Sequence, residues 1–135
     1  GRIEAAYAGL GLAAPRVRVA EFLSDMATPY AWCDMVVCRA GATSLAELAA
    51  AGRPAVLVPF PHATDNHQEH NARALVDAQA AVLLREGEWS AASLAAAIVE
   101  LLADPARLAA MRAAMLAAAR PAAAGTIYEQ LLALR

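Results

Sequence analysis

The sequence predicts an α/β domain built on a doubly wound parallel sheet. Three observations lead there. Short segments that are apolar at every position alternate with longer helical stretches, as strands buried on both faces require. Helix-stopping residues punctuate those stretches. The 135 residues suffice for one hydrophobic core and are too few for two.

Taken in order, residues 1–12 read as a helix with no strand before it. Residues 17–22 (Val17-Arg18-Val19-Ala20-Glu21-Phe22) read as a strand and 26–32 as a helix. A short buried strand over 35–38 is followed by a helix over 44–51, closed by Gly52, which supplies the left-handed residue that helix ends favour. Residues 55–58 form the next strand, ended by the turn Pro59-Phe60-Pro61. A polar loop over 62–66 leads into a helix over 67–78, and 81–84 is the fourth strand. Helices over 91–103, 106–120 and about 126–134 complete the chain. Pro105 suits a first helical position, whose N–H is unpaired in any case, and Pro121 cannot continue the helix before it. Doubly wound sheets usually have five or six strands and four are legible, so residues 1–135 are expected to be one Rossmann-like domain that is incomplete on its N-terminal side.

Composition narrows the function. Hydrophobic residues make up 60%, much of it alanine, and the net charge is −2. No basic face is available for nucleic acid phosphates. No apolar run reaches the ~18 residues of a membrane span, and no signal peptide opens the chain, so the expected compartment is the cytosol. Cys33 and Cys38 fit neither a C-x-x-C redox pair nor a zinc knuckle, and Cys38 reads as a buried reduced thiol. Asp25 reads as a helix cap and Asp34 as a surface residue.

Ligands of such sheets bind beyond the carboxyl ends of the strands, which selects the loops after Phe22, Cys38 and Phe60. After Cys38 the chain runs Arg39-Ala40-Gly41-Ala42-Thr43-Ser44-Leu45-Ala46-Glu47, a strand end, a turn of small residues and an immediate helix. The backbone there allows close approach. The N–H groups of Ala42, Thr43 and Ser44 would face an anion at the positive end of the helix, with two hydroxyls beside them; a pyrophosphate suits that position. Leu45, Leu48, Ala49 and Gly52 share one helix face. Glu47 lies roughly 200° from Leu45 at 3.6 residues per turn, where a carboxylate would accept both hydrogen bonds of a ribose diol. The same spacing, Ser44-x-x-Glu47, is equally that of a capping box that needs no ligand. In the loop after Phe60, Gln68 and Asn71 share a face near a helix start, and paired amides suit sugar hydroxyls; an ordinary solvated helix start would look the same. His62, His67 and His70 lack the distant ligand that would complete a metal site. No P-loop, G-x-G-x-x-G or G-x-S-x-G is present, and no acid/base pair is visible.

Taken together these segments resemble the C-terminal half of the bacterial enzymes that transfer N-acetylglucosamine from UDP onto undecaprenyl-diphospho-muramoyl-pentapeptide. The matching pieces are Glu21-Phe22-Leu23-Ser24-Asp25-Met26, the run from Ala31 to Gly52 with Pro54, Val58-Pro59-Phe60-Pro61, Asp65-Asn66-His67-Gln68-Glu69 and Asn71-Ala72. The likeness weakens after Glu86. It implies the C-terminal domain of a GT-B glycosyltransferase and an inverting transfer in peptidoglycan synthesis. The backbone at Leu23 would read the uracil. Ala42, Thr43 and Ser44, with Leu45 and Ala46 following, would meet the diphosphate. Glu47 would hold the ribose, and Gln68 with Asn71 the N-acetylglucosamine. No metal or cofactor is implied.

The acceptor lipid would be handled by a further domain, which would also carry the catalytic base, at the inner face of the cell membrane. Ala40 stands where relatives often have serine, and the family's Gly-Gly-Ser donor loop and its arginine have no counterpart here. This segment by itself is therefore expected to bind the donor weakly and to turn nothing over. A donor-binding subunit of a split transferase, another GT-B glycosyltransferase or a UDP-N-acetylglucosamine 2-epimerase are the alternatives.

Overall fold

The computed structural model describes residues 1–12, 14–62 and 64–134, without the side chain of Thr64. Ala63, within the polar loop expected over 62–66, lies outside them. The elements run α1 (Arg2–Gly9), α2 (Ala27–Trp32), β1 (Val36–Cys38), α3 (Ala42–Ala51), β2 (Ala55–Leu57), a 3₁₀ turn (Thr64–Asn66), α4 (His67–Asp77), β3 (Ala81–Leu83), α5 (Ala91–Leu102), α6 (Pro105–Ala118) and α7 (Ala123–Ala133).

Three parallel strands form the sheet in the order β1-β2-β3. Val36, Val37 and Cys38 align with Ala55, Val56 and Leu57, which align in turn with Ala81, Val82 and Leu83. The central strand is buried throughout, and its side chains alternate between two cores as strand geometry requires. Ala55 and Leu57 enter a core with Leu45, Leu48 and Ala49 of α3, Ala72 and Leu75 of α4 and Met115 of α6. Val56 enters the other core, with Leu101 of α5 and Met111 of α6. Helices therefore cover both faces of a parallel sheet. The second face is covered less fully, and Val37 remains exposed.

The expected strand over 17–22 does not form. Its alternation survives as burial, with Val17 and Val19 half-buried and Arg18 and Ala20 exposed. Both valines line an open cavity of about 630 Å³ with Tyr7 and Leu12; the segment is extended toward α1 and joins no ladder. An alternating pattern reports a half-buried extended chain, and a strand also needs a hydrogen-bonding neighbour. Helix boundaries moved less. The start of α3 lies two residues before the expected Ser44 and α6 stops at Ala118. Gly52 ends α3 in the left-handed conformation, with Gly52 N–H donating to Ala49 O and Arg53 N–H to Leu48 O.

Candidate functional site

The site is assembled where β1 and β2 end. Their register places Cys38 beside Leu57, and Val58 N–H donates to Cys38 O at 2.9 Å, so the two following turns leave the sheet side by side. After β1 the chain passes Ala40, which is fully buried in the core, and reaches Gly41 in extended geometry as the N-cap of α3. The first intrahelical bond runs from Leu45 N–H to Gly41 O at 3.0 Å. The N–H groups of Ala42, Thr43 and Ser44 thus precede the ladder, as at every helix start, and among the described residues no side chain caps them. Ala42 and Thr43 are exposed and Ser44 is half-exposed. Among the described residues, a Cβ placed on Gly41 would meet only Ser44 Oγ, at 4.0 Å, so none of them fills the space over the turn.

The capping-box alternative for Ser44 and Glu47 is thereby excluded. Ser44 is the third residue of α3 rather than its cap, and Glu47 is engaged elsewhere. Tyr30 of α2 donates its hydroxyl to Glu47 Oε2 at 3.0 Å. Burial and this bond together push the phenol up to about 12, because both disfavour a second negative charge beside the carboxylate. Tyr30 is carried there by α2, whose N-cap is Met26 and whose first turn is bonded by the side chain of Asp25, one residue earlier. The Asp25 carboxylate accepts from the Thr28 hydroxyl at 2.6 Å and from Ala27 N–H at 2.9 Å, and these bonds, the Thr28 one foremost, hold its pKa below the ordinary value.

The turn after β2 supplies the other wall. Phe60 N–H donates to Gln68 Oε1 at 3.0 Å. An N–H can bond only the amide oxygen, so the Gln68 NH₂ is the group left for a ligand. Asp65 and Asn66 are both left-handed, with φ of 51° and 54°, which turns the chain sharply into α4. Asn66 Nδ2 then donates to Glu69 Oε2 at 3.2 Å. Arg85 and Arg73 clamp the other Glu69 oxygen, and these three donors, Arg85 foremost, bring its pKa down to about 2. Glu69 therefore ties α4 to the segment after β3. Asn71 is half-buried, three residues beyond Gln68.

Arg39 joins the ends of all three strands. Its Nη1 donates to Val58 O at 3.2 Å and Pro59 O at 3.1 Å and pairs with Glu86, while its guanidinium lies 5.5 Å from the Phe60 ring. Phe60 in turn meets His62 edge-on at 5.7 Å.

Ala42, Thr43, Ser44, Leu45, Ala46 and Glu47 lie on α3 and Gln68 and Asn71 on α4, and these two helices contact each other. Leu45 is buried against the sheet, so only its backbone faces the opening. Leu23 is partly exposed in the segment before α2, and no hydrogen bond among the described residues links it to α3. No group of three His, Cys, Asp or Glu side chains among the described residues is arranged to hold a metal ion. Cys33 and Cys38 are free and half-buried, so Cys38 is less enclosed than its apolar run suggests. Sequence reasoning missed Tyr30 and Arg39. Nothing in the sequence pairs Tyr30 with a carboxylate 17 residues away. Arg39 is exposed, and no pattern in the sequence pairs it with carbonyls 19 and 20 residues away.

A parallel sheet with helices on both faces and an open helix start at its carboxyl edge defines a Rossmann-like α/β domain. Residues 2–127 match the model of the glycosyltransferase family 28 C-terminal domain, and the chain belongs to that family. Two curated relatives are named UDP-N-acetylglucosamine--N-acetylmuramyl-(pentapeptide) pyrophosphoryl-undecaprenol N-acetylglucosamine transferase. The one from Nitratidesulfovibrio vulgaris strain DP4 is 51% identical over 98% of this chain and 36% of its own length. That from Xanthomonas campestris pv. campestris strain 8004 is 51% identical over 96% of this chain and 30% of its own. The crystal structure of Acinetobacter baumannii MurG superposes with a TM-score of 0.83 at 32% identity, covering 96% of this chain and 38% of that one. The chain thus spans about a third of the length of these relatives, and its fold is that of the GT-B C-terminal type.

Proposed function

We propose that this domain binds UDP-N-acetylglucosamine, and that it serves the transfer of N-acetylglucosamine to a lipid-linked muramoyl-pentapeptide in peptidoglycan synthesis. The observation that carries the reading is the open, uncapped start of α3 directly after β1. The N–H groups of Ala42, Thr43 and Ser44 would donate to the diphosphate oxygens, and the helix's positive end would stabilise the UDP leaving group as charge develops on it. That role is commonly taken by a divalent cation, and backbone dipoles can supply it without one. Glu47 would accept from the ribose hydroxyls and the Gln68 NH₂ would donate to the sugar, with Asn71 beside it. Leu23 would read the uracil through its backbone.

Two relatives carry names stating both the donor and an undecaprenol acceptor, which supports the same assignment here. A lipid acceptor implies work at a membrane surface, on the cytoplasmic side where nucleotide sugars are held. No helix among the described residues is long and apolar enough to cross a membrane. No residue of this chain is assigned as the catalytic base.

Titration with UDP, followed by amide resonances, tests the reading. The signals of residues 42–47 and of Gln68 should move together and saturate. Unchanged signals at millimolar UDP would refute it.

A further inference from the structure

Glu47 is exposed on α3, with a flexible side chain and neither a salt bridge nor a local helical partner among the described residues. Left alone, such a carboxylate samples several rotamers, and fixing one of them on binding costs affinity. Its one partner comes from another element. Tyr30 packs its ring against the first core and brings its hydroxyl to the surface 3.0 Å from Glu47 Oε2. In the same short helix Trp32 is 84% exposed, so Tyr30 is the aromatic residue that α2 turns inward. The donor is also neutral. An arginine or lysine would hold the carboxylate equally well but would offset its charge, whereas a phenol occupies one oxygen and leaves Oε1 a full-strength acceptor.

We propose that Tyr30 is a positioning residue for nucleotide recognition: by holding Glu47 Oε2 it presents Oε1 to the ribose hydroxyls, and so sets the preference for ribonucleotides over deoxyribonucleotides. This rests on the reading of Glu47 as the ribose acceptor. Tyr30 stays bound to Glu47 when the nucleotide enters, and the ribose adds to the pair rather than displacing the phenol.

The test is calorimetric titration of the 135-residue chain with UDP and with 2′,3′-dideoxy-UDP. The unmodified chain should prefer UDP by about tenfold or more, the scale of a hydrogen bond to a charged group. Tyr30→Phe retains the ring and should lower that preference about three- to tenfold, with dideoxy-UDP affinity nearly unchanged. Glu47→Ala should abolish the preference, and adding Tyr30→Phe to it should change nothing further. A Tyr30→Phe chain that keeps the full preference overturns the proposal and leaves the Glu47 reading intact. An unmodified chain with no preference overturns the Glu47 reading itself, and the proposal with it. A second measurement needs no variant. The Tyr30 ¹³Cζ shift should stay in place on saturation with UDP, and movement to that of a solvent-bonded phenol would show displacement and overturn the proposal.

Discussion

Replacing Gly52 by alanine tests how α3, and with it the ligand-facing start of that helix, is held. Gly52 has φ 61° and ψ 43°, a conformation that costs a residue with a Cβ about 1–2 kcal/mol. The lower entropy of the unfolded alanine chain returns about 0.4–1 kcal/mol. The added Cβ would also stand 2.7 Å from Leu116 Cγ and 2.8 Å from Cδ2. Leu116 of α6 is 51% exposed and can swing outward, at about 0.5–1.5 kcal/mol for a distorted rotamer. The net loss is about 1–2 kcal/mol, and for a domain of this size about 3–5 °C in Tm per kcal/mol. Thermal unfolding by circular dichroism reads it directly. In a Leu116→Ala background the clash is gone, so the further cost of Gly52→Ala should fall by about 1 kcal/mol. An unchanged Tm for Gly52→Ala, or an equal cost in both backgrounds, would refute the reasoning.

Three further outcomes are expected. Glu69 has its pKa lowered to about 2, so its clamp stabilises the fold above the ordinary value near 4.5 and is lost as pH falls from there toward 2; Glu69→Gln should flatten that part of an acid denaturation profile. Tyr30 has its pKa raised to about 12, so its contribution is intact below pH 10 and is lost as pH rises from 10 through 12; an absorbance titration of tyrosinate should show one group ionising near pH 12 that Tyr30→Phe removes. Arg39→Ala severs the bonds to Val58 O and Pro59 O and should cost about 1 kcal/mol, whereas Glu86→Gln should cost well under that because the ion pair is exposed; urea denaturation midpoints separate the two.

Much of the fold was legible because apolar runs report burial on both faces. Met35-Val36-Val37-Cys38, Ala55-Val56-Leu57-Val58 and Ala81-Val82-Leu83-Leu84 each contain a strand of the sheet. Gly52 closed its helix as read, because few other residues sit at that φ without strain. The segment 17–22 misled because alternation reports one half-buried face, and pairing depends on a neighbour that the pattern does not contain. At the candidate site, the turn after Cys38 could be read from its small residues alone. Whether Ser44 and Glu47 form a capping box could not, since a shift of two residues in the helix start removes that box. The Tyr30 contact and the single orientation of the Gln68 amide arise from packing between separate elements, α2 on α3 and the turn after β2 on α4. No local signal encodes them.

The most direct measurement is a crystal structure of this chain with UDP-N-acetylglucosamine. The diphosphate oxygens should lie about 2.7–3.1 Å from the backbone nitrogens of Ala42, Thr43 and Ser44, over the open turn at Gly41. A diphosphate bound elsewhere, or a side chain filling that turn in the complex, would contradict the account.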